Sequence, residues 1–560
     1  MSRQRSSFAP KCLAPGVPDG PVLGGATGEP SRFGASRSVV CASRGIVATS
    51  QPLAAYEAVR VLEDGGNAID AGVAAALMLC VTEPMQIGPG GDVLALVFDA
   101  ASGELIGLNS SGSAPAAADL DTLRARLGAE ATQLPLHSIL AVTVPGAVDG
   151  WLALHDRFGR LDRSRLFAPA VRAAREGFAV APQTAATWAM GAPILARQRH
   201  SKETWLGPDG APFGCAERFR NLRLADSLEM IATSGRAAMY GGPLGNAVIE
   251  ASNEQHGLLC EADLAQHRIE WVEPQLVGYR GYTVAEMPPN AQGIAVLEAL
   301  AILERFDFAG VDFGSPEAAH WQVQATKLGL ADAATHITDA SRMRTSVKNL
   351  LDPQRIESLH EAIVNGHPSV APAATGGGDT AFVCAADDEG NWVSLIGSLF
   401  HPWGSGLTAG NAGFLLQNRG HGFSLDPAHA NVIEPAKKTR HTILPAMLLH
   451  GGKPVMAFGF VGGDMQVQGQ VQFLSNLIDF GMDPQSALDA PRWRIEDNLR
   501  DTALEPGLLN TIGGELAVRG HRVTDSGGFF GGGQAVLHRP EFGTFQGVSD
   551  GRRDGCALGI

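Results

Sequence analysis

Apolar residues recur along this chain in two rhythms, one helical and one alternating, and the elements they predict follow each other abruptly. Ala55, Ala58, Val59 and Leu62 form one stripe at helical spacing. Thr49 or Ser50 is placed to cap that helix, Pro52 suits its first turn, and Gly65-Gly66 ends it. Asn67 opens a second helix whose run 71–81 is apolar all round. That run reads as a buried helix, because a membrane span needs about 20 such residues. Residues 93–98 and 105–108 read as strands, and a helical middle includes 317–335. Further on, TAFVCAA and WVSLIGSLF flank DDEGN, the pattern of two strands joined by a tight loop. With the loop at 387–391, Ala386 faces Trp392 and Thr380 faces Ser398, a pairing that a one-residue slip would destroy. Beyond GFVGGD, Val467, Val471, Leu474 and Ile478 line one face of an amphipathic helix.

Two stretches break these rhythms. Residues 1–43 are rich in Ser, Arg, Gly and Pro, cannot bury enough apolar area to offset chain entropy, and read as a flexible leader. They hold no secretory signal, since Arg44 interrupts the best apolar candidate at 39–47. Residues 369–378, SVAPAATGGG, have the composition of an exposed linker. There is no internal repeat. A hydrophobic content of 45% with 18% charged residues belongs to a compact globular protein, and 69 glycines imply many tight turns and close backbone approaches. A formal charge of −15 argues against nucleic acid or anionic membrane as partner and favours a small molecule. The 7 cysteines, Cys12, Cys41, Cys80, Cys215, Cys260, Cys384 and Cys556, are scattered without CxxC pairs. They read as reduced, and a cytoplasmic protein is expected.

A threonine after a glycine-rich linker is by itself unremarkable, because Gly-Asp-Thr is a common turn. Its neighbours change that reading. The stretches GIVATSQPLAAYEAVRVLEDGGNAIDAGVAAAL, EPMQIGPGGD, VPGAVDGW, EMPPNAQG, HWQVQATKLGLAD, GDTAFVCAADDEGNWVSLIGSLF, GSGL, NRGHGFSLDP and FGFVGGD occur in this order. Together they resemble the gamma-glutamyltranspeptidase family over nearly all of residues 45–560. The resemblance implies an α+β fold, the four-layer αββα sandwich of N-terminal-nucleophile hydrolases. It implies a cut between Asp379 and Thr380, giving a large chain (44–379) and a small chain (380–560) that share one core. Thr380 then matches the nucleophile, Gly462 and Gly463 the oxyanion hole, and Ser398 a threonine that hydrogen-bonds the nucleophile. The chemistry is coherent: a threonine hydroxyl needs a base, and the α-amine freed by cleavage, with a pKa near 8, supplies one in the same residue. Glycines before a helix present N–H groups where the helix end favours an oxyanion.

Blander readings fit other residues. Asn391 completes a turn and Cys384 is a small buried residue. The glycines 376–378 lack the GxxxxGK[ST] phosphate-loop pattern, and without HExxH or a comparable cluster no metal or cofactor is expected. The positions that hold a glutamyl α-carboxylate and α-amine in the family fall here on Ser111, Phe400, Arg419 and Gly422, and the family's paired serines on His441-Thr442. This pattern is closer to the branch of oxamate amidohydrolases and cephalosporin-type acylases. The substrate pocket is expected from Arg419, Asn418, His441, Thr442, Phe400 and Ser111, with a small anionic, oxamate-like amide cleaved through a threonine acyl-enzyme. Glutamyl transfer or hydrolysis on glutathione-like substrates, a cephalosporin-type acylase and a non-catalytic binding protein of the same fold are the alternatives. Arg419 reads otherwise as one half of a structural ion pair, and His441 as a satisfied histidine at the pocket wall. The partners expected are the amide and the two chains of one precursor, with a homodimer of processed units left open.

Overall fold

The computed structural model describes residues 37–366, 378–525 and 527–560, apart from the Asp379 side chain. The leader through residue 36 and the linker stretch 369–377 lie outside the described residues. Strands β1 (Val40–Ala42), β2 (Gly45–Thr49), β3 (Asp92–Asp99), β4 (Glu104–Ser110), β5 (Glu270–Val272), β6 (Gln275–Tyr279) and β7 (Tyr282–Glu286) precede the Asp379-Thr380 bond. Strands β8 (Asp379–Asp387), β9 (Trp392–Phe400), β10 (Ala446–His450), β11 (Lys453–Val461), β12 (Gly532–Arg539), β13 (Thr544–Ser549) and β14 (Cys556–Gly559) follow it or begin at it. They form two antiparallel seven-stranded sheets, ordered β14-β2-β8-β9-β3-β4-β5 and β1-β13-β12-β11-β10-β7-β6. Each sheet mixes strands from both sides of residue 380, so one break in the chain would not divide the core.

The alternation in the sequence shows why the sheets stack. Along the β8–β9 hairpin, Ala381, Val383, Ala385, Val393 and Leu395 turn to one face. There they join helices α1 (Pro52–Glu63) and α2 (Ala68–Thr82). Phe382, Cys384, Ala386, Trp392 and Ile396 turn to the other face, toward the second sheet. Helices α3 (Gly293–Leu303) and α6 (Met465–Ile478) close the far side of that sheet, α4 (Pro316–His336) packs against both, and α5 (Pro353–Val364) packs against α3 and α4. The result is the αββα sandwich, and the all-apolar run 71–81 is buried in it. Among the described residues no helix is long and apolar enough to cross a membrane. The six described cysteines are free.

Three local expectations need correction. Gln51, not Thr49 or Ser50, is the N-cap of α1, and its side chain makes no capping bond. The two hydroxyls are drawn inward: Thr49 Oγ1 donates to the Phe382 carbonyl at 2.7 Å, and Ser50 Oγ bonds the Glu83 carboxylate. Residues 40–42, placed in the leader by composition, form β1 and pair with β13. The hairpin keeps the expected Ala386–Trp392 pairing, but its register shifts at the open end. Asp379 pairs with Phe400 and Ala381 with Gly397, so Thr380 stands in a bulge opposite Ser398 and Leu399.

The closed end of the hairpin is tied to α2. Asn67 caps that helix in a reciprocal box with Asp70. Asp387 accepts from Ala68 N at 2.9 Å and from Asn391 N at 2.9 Å, while Asn391 Oδ1 accepts from Ala100 N at 3.1 Å. Asn391 is thus structural. Removing a carboxylate that satisfies buried N–H groups on two elements leaves donors without partners, at about 1 kcal/mol or more each. Asp387→Ala is expected to cost about 2–3 kcal/mol, read as a lower unfolding midpoint in calorimetry. A midpoint equal to wild type would show that the tie carries no stability.

Candidate active site

Three neighbouring strands of the first sheet end side by side. Ser398 on β9 pairs in register with Asp92 on β3, and Thr380 heads β8 on the other side of β9. Thr380 and Ser398 are buried, and their Oγ atoms lie 3.5 Å apart. Ser398 Oγ also accepts from Phe400 N at 2.8 Å, which holds the hydroxyl toward the end of the strand. A second group reaches Thr380 from the other sheet's helix layer: Gln466 Nε2 donates to Thr380 Oγ1 at 3.3 Å.

The orientation of Gln466 is fixed by its other end. Its Oε1 accepts from Leu444 N at 2.8 Å, and Gln470, one turn later, donates to Leu444 O at 3.1 Å. An amide whose oxygen is held by a peptide N–H can only donate from its nitrogen. The other two glutamines of MQVQGQVQ do the same for Ile495 and Trp493: Gln468 takes both backbone groups of Ile495, and Gln472 both of Trp493. Val467, Val471 and Leu474 are buried as the helical pattern requires, and Ile478 partly so. The glutamine-bearing surface is buried as well and bonded to backbone of neighbouring segments, with Gln470 Oε1 left without a partner among the described residues. That face was not legible, because glutamines at helical spacing read equally well as solvated.

Arg419 and Phe400 form the adjoining wall. Phe400 has φ 80°, a left-handed backbone unusual for a side chain of this size, and its ring lies under Arg419, with the guanidinium carbon 4.0 Å from the centroid. Arg419 is 1% exposed, donates from Nη1 to Thr442 Oγ1 at 3.1 Å, and has no partner for Nε or Nη2 among the described residues. No ion pair with a described residue accounts for it. Burial pushes it down to about 9, with the charges of Asp92 and Asp464 opposing, so it remains a cation at neutral pH. Thr442 therefore belongs to this cluster. Gly378, just before β8, leaves no room for a side chain: a Cβ there would come 2.7 Å from Phe400 O and 3.5 Å from Gly463 Cα. Gly462 and Gly463, at φ 115° and 60°, make the turn into α6, and their carbonyls accept from Met465 and Gln466.

Other expected pocket residues are brought close but are occupied. His441 is fully buried with Nε2 3.1 Å from Asp92 Oδ2, while its Nδ1 accepts from Ile443 N at 3.4 Å. It is a satisfied histidine whose protonated nitrogen, Nε2, donates to Asp92. Asn418 spends its amide on His401 N and Leu136 O. Ser111 donates to Asn109 Oδ1 at 2.7 Å, and Asn109 donates in turn to Asn290 Oδ1 at 2.8 Å. These residues shape the wall. The sequence alone did not point to Asp92, which accepts from His441, Gln417 Nε2, Gly112 N and Gly146 N. Its partners lie as far as 349 positions away, so no local pattern carries them. Among the described residues no cluster of His, Cys, Asp or Glu could hold a metal ion.

Burial, aided by the Arg419 charge, pushes His441 from the ordinary 6.5 down to about 4. His267 and His401 are pushed down to about 4 and about 3, mainly by burial. The unfolded chain therefore binds protons between pH 6.5 and about 4 that the folded chain refuses, and stability falls as pH drops through that window. His441→Asn is expected to show a shallower acid loss of melting temperature than wild type. Parallel pH profiles would show that His441 is not held neutral.

Comparison with known proteins agrees with this geometry. Residues 54–560 match the gamma-glutamyltranspeptidase family. The glutathione hydrolase-like YwrD proenzyme of Bacillus subtilis is 35% identical over 93% of this chain and 99% of its own. The oxamate amidohydrolase proenzyme of Klebsiella pneumoniae is 32% identical over 92% of this chain and 98% of its own. The crystal structure of cephalosporin acylase from Bacillus halodurans superposes with a TM-score of 0.88 at 37% identity, covering 94% of this chain and 98% of that one. The chain belongs to the gamma-glutamyltranspeptidase family and is an N-terminal-nucleophile amidohydrolase acting on carbon–nitrogen amide bonds.

Proposed function

We propose that the chain cuts itself between Asp379 and Thr380 and that the mature enzyme hydrolyses a small anionic amide through an acyl-enzyme on Thr380. In the precursor, Thr380 Oγ1 attacks the Asp379 carbonyl carbon, the peptide bond opens to an ester, and water releases the Asp379 carboxylate and a free Thr380 amine. In the mature enzyme that amine takes the hydroxyl proton as Oγ1 attacks the substrate carbonyl. The oxyanion forms against the N–H groups of Gly462 and Gly463 at the start of α6. The leaving amine departs with that proton; a water deprotonated by the Thr380 amine then attacks the ester carbonyl, and the C–O bond breaks with the proton returned to Oγ1, which frees the acid. Gln466 and Ser398, 3.3 and 3.5 Å from Thr380 Oγ1, orient the oxygen through both steps.

The observation that carries the anionic substrate is Arg419. A guanidinium that is 1% exposed, with two N–H-bearing nitrogens unpartnered and no carboxylate among the described residues bound to it, is a receptor for a carboxylate. An oxamate-like acid places its carboxylate there and its amide carbonyl at Thr380. The oxamate amidohydrolase among the relatives supports this reading. A zwitterionic glutamyl head finds Ser111, its hydroxyl committed to Asn109, and Phe400 where it needs a charged and a polar anchor. The second reading, a bulky uncharged acyl amide, is favoured by the resemblance to the cephalosporin acylase.

Arg419→Ala is expected to leave processing intact and to lower kcat/KM for oxamate about 10–100-fold, the worth of a charged hydrogen bond, with little change for a neutral amide of the same size. Equal loss on both, or a preference for bulky neutral amides, moves the assignment to the acylase reading. Glutamyl anilides should be poor substrates, and dipeptides should not stimulate their turnover. Gln466→Met should lower kcat at unchanged KM, and an unaffected kcat would remove Gln466 from the machinery.

A further inference from the structure

Arg419 is not the only guanidinium here without a counter-charge among the described residues. Segment 422–440 faces helices α4 and α5 across a groove of about 930 Å³, a volume in the range of small-molecule sites. Gly422 and Arg440 line it, and they are chain neighbours of the Arg419 turn and of the His441-Thr442 wall. The groove is therefore near the site described above but is built from different side chains.

Three arginines line the groove, and two of them are committed. Arg344 donates to Ala428 O at 2.9 Å, and Arg355 pairs with Asp332 and Glu298. Arg440 is different. It is 8% exposed, its backbone N–H is held by Asn431 Oδ1 at 3.1 Å, and its guanidinium has no hydrogen bond or ion pair with any described residue. Nη1 is fully buried without a partner. The acids that line the groove do not answer this charge: Asp332 is taken by Arg355, and Asp426 turns to Ala428 N at the exposed rim. The uncompensated charge is felt by its surroundings, since Arg440 opposes protonation of both His429 and Arg419.

A chain with a formal charge of −15 has carboxylates to spare, yet offers none of the described ones to this cation. A buried charge without a counter-ion is costly, and such sites are stable when a ligand supplies it. We propose that the groove between 422–440 and helices α4 and α5 is a binding site for a carboxylate-bearing small molecule, anchored by the Arg440 guanidinium. One free planar fork matches the two oxygens of one carboxylate. A phosphate, with more charge and more oxygens, would call for further uncommitted donors.

The test uses the purified protein and a panel of acetate, succinate and citrate, read by melting temperature and by calorimetric titration, with Arg440→Met, Arg440→Lys and Arg419→Ala beside wild type. Ligands that bind only the folded state raise its melting temperature with concentration. At least one carboxylate is expected to stabilise wild type and Arg419→Ala, with affinity about ten-fold or more weaker in Arg440→Met and partly restored in Arg440→Lys. In carboxylate-free buffer, Arg440→Met should melt no lower than wild type, because it removes an unpaired buried charge. A merely structural arginine would give the reverse, a lower melting temperature and unchanged carboxylate response. The proposal is overturned by that result, by stabilisation that disappears in Arg419→Ala instead, or by the failure of every carboxylate to stabilise wild type.

Discussion

The strand that begins at Asp379 is paired on both sides, by β2 and by β9, and the rest of the site depends on that pairing. A central strand has no freedom of register when both its faces are buried, because a one-residue slip would exchange Phe382 and Cys384 with Ala381 and Val383. Thr380 is therefore held at the sheet's end by the whole hairpin. The one irregularity, the bulge against Ser398 and Leu399, falls at this residue and leaves its hydroxyl between Ser398 and Gln466. Bulges re-aim a side chain beside active sites in many sheets. Both sheets interleave strands from the two sides of residue 380, so a cut there opens a chain end without loosening the core.

Around that fixed hydroxyl, charge is distributed unequally. Asp92 is saturated by four donors, and His441 is held neutral by burial. Arg419 keeps its charge and two unused nitrogens. Opposite charges about 4 Å apart attract by about 4 kcal/mol at an effective dielectric constant near 20, and the desolvation of the arginine has already been met by the fold. A substrate carboxylate that docks there gains the attraction without that cost to the protein. A neutral substrate would gain nothing from it, so under the proposed reading the asymmetry would set specificity as well as affinity.

The sequence disclosed what is local or periodic. The Asn67 cap, the Ala386–Trp392 pairing, the α6 stripe and the buried α2 follow from residues a few positions apart. Of the site residues that the family resemblance implied, Thr380 and Ser398 lie within 3.5 Å of each other, and Gly462 and Gly463 lead into the helix that carries Gln466. What stayed hidden depends on distant partners. Ser50 and Thr49 were natural caps until Glu83 and the Phe382 carbonyl competed for them. The four glutamines of α6 gave no sign of burial, because their satisfaction comes from backbone at Leu444, Trp493 and Ile495. Pocket residues carried over from the family's positions divided by what else they touch: Arg419 and Thr442 face each other, while His441, Asn418 and Ser111 are bonded to other residues of the site's surroundings.

Under the proposed function, activity begins when a peptide bond becomes an amine on Thr380. Intact mass and N-terminal sequencing of freshly purified wild type and Thr380→Ala, taken alongside amide-hydrolysis activity, test it most directly. Expected are an active wild type made of one chain ending at Asp379 and another beginning at Thr380, and an inactive Thr380→Ala that stays whole. A fully active wild type that remains a single 560-residue chain would contradict it.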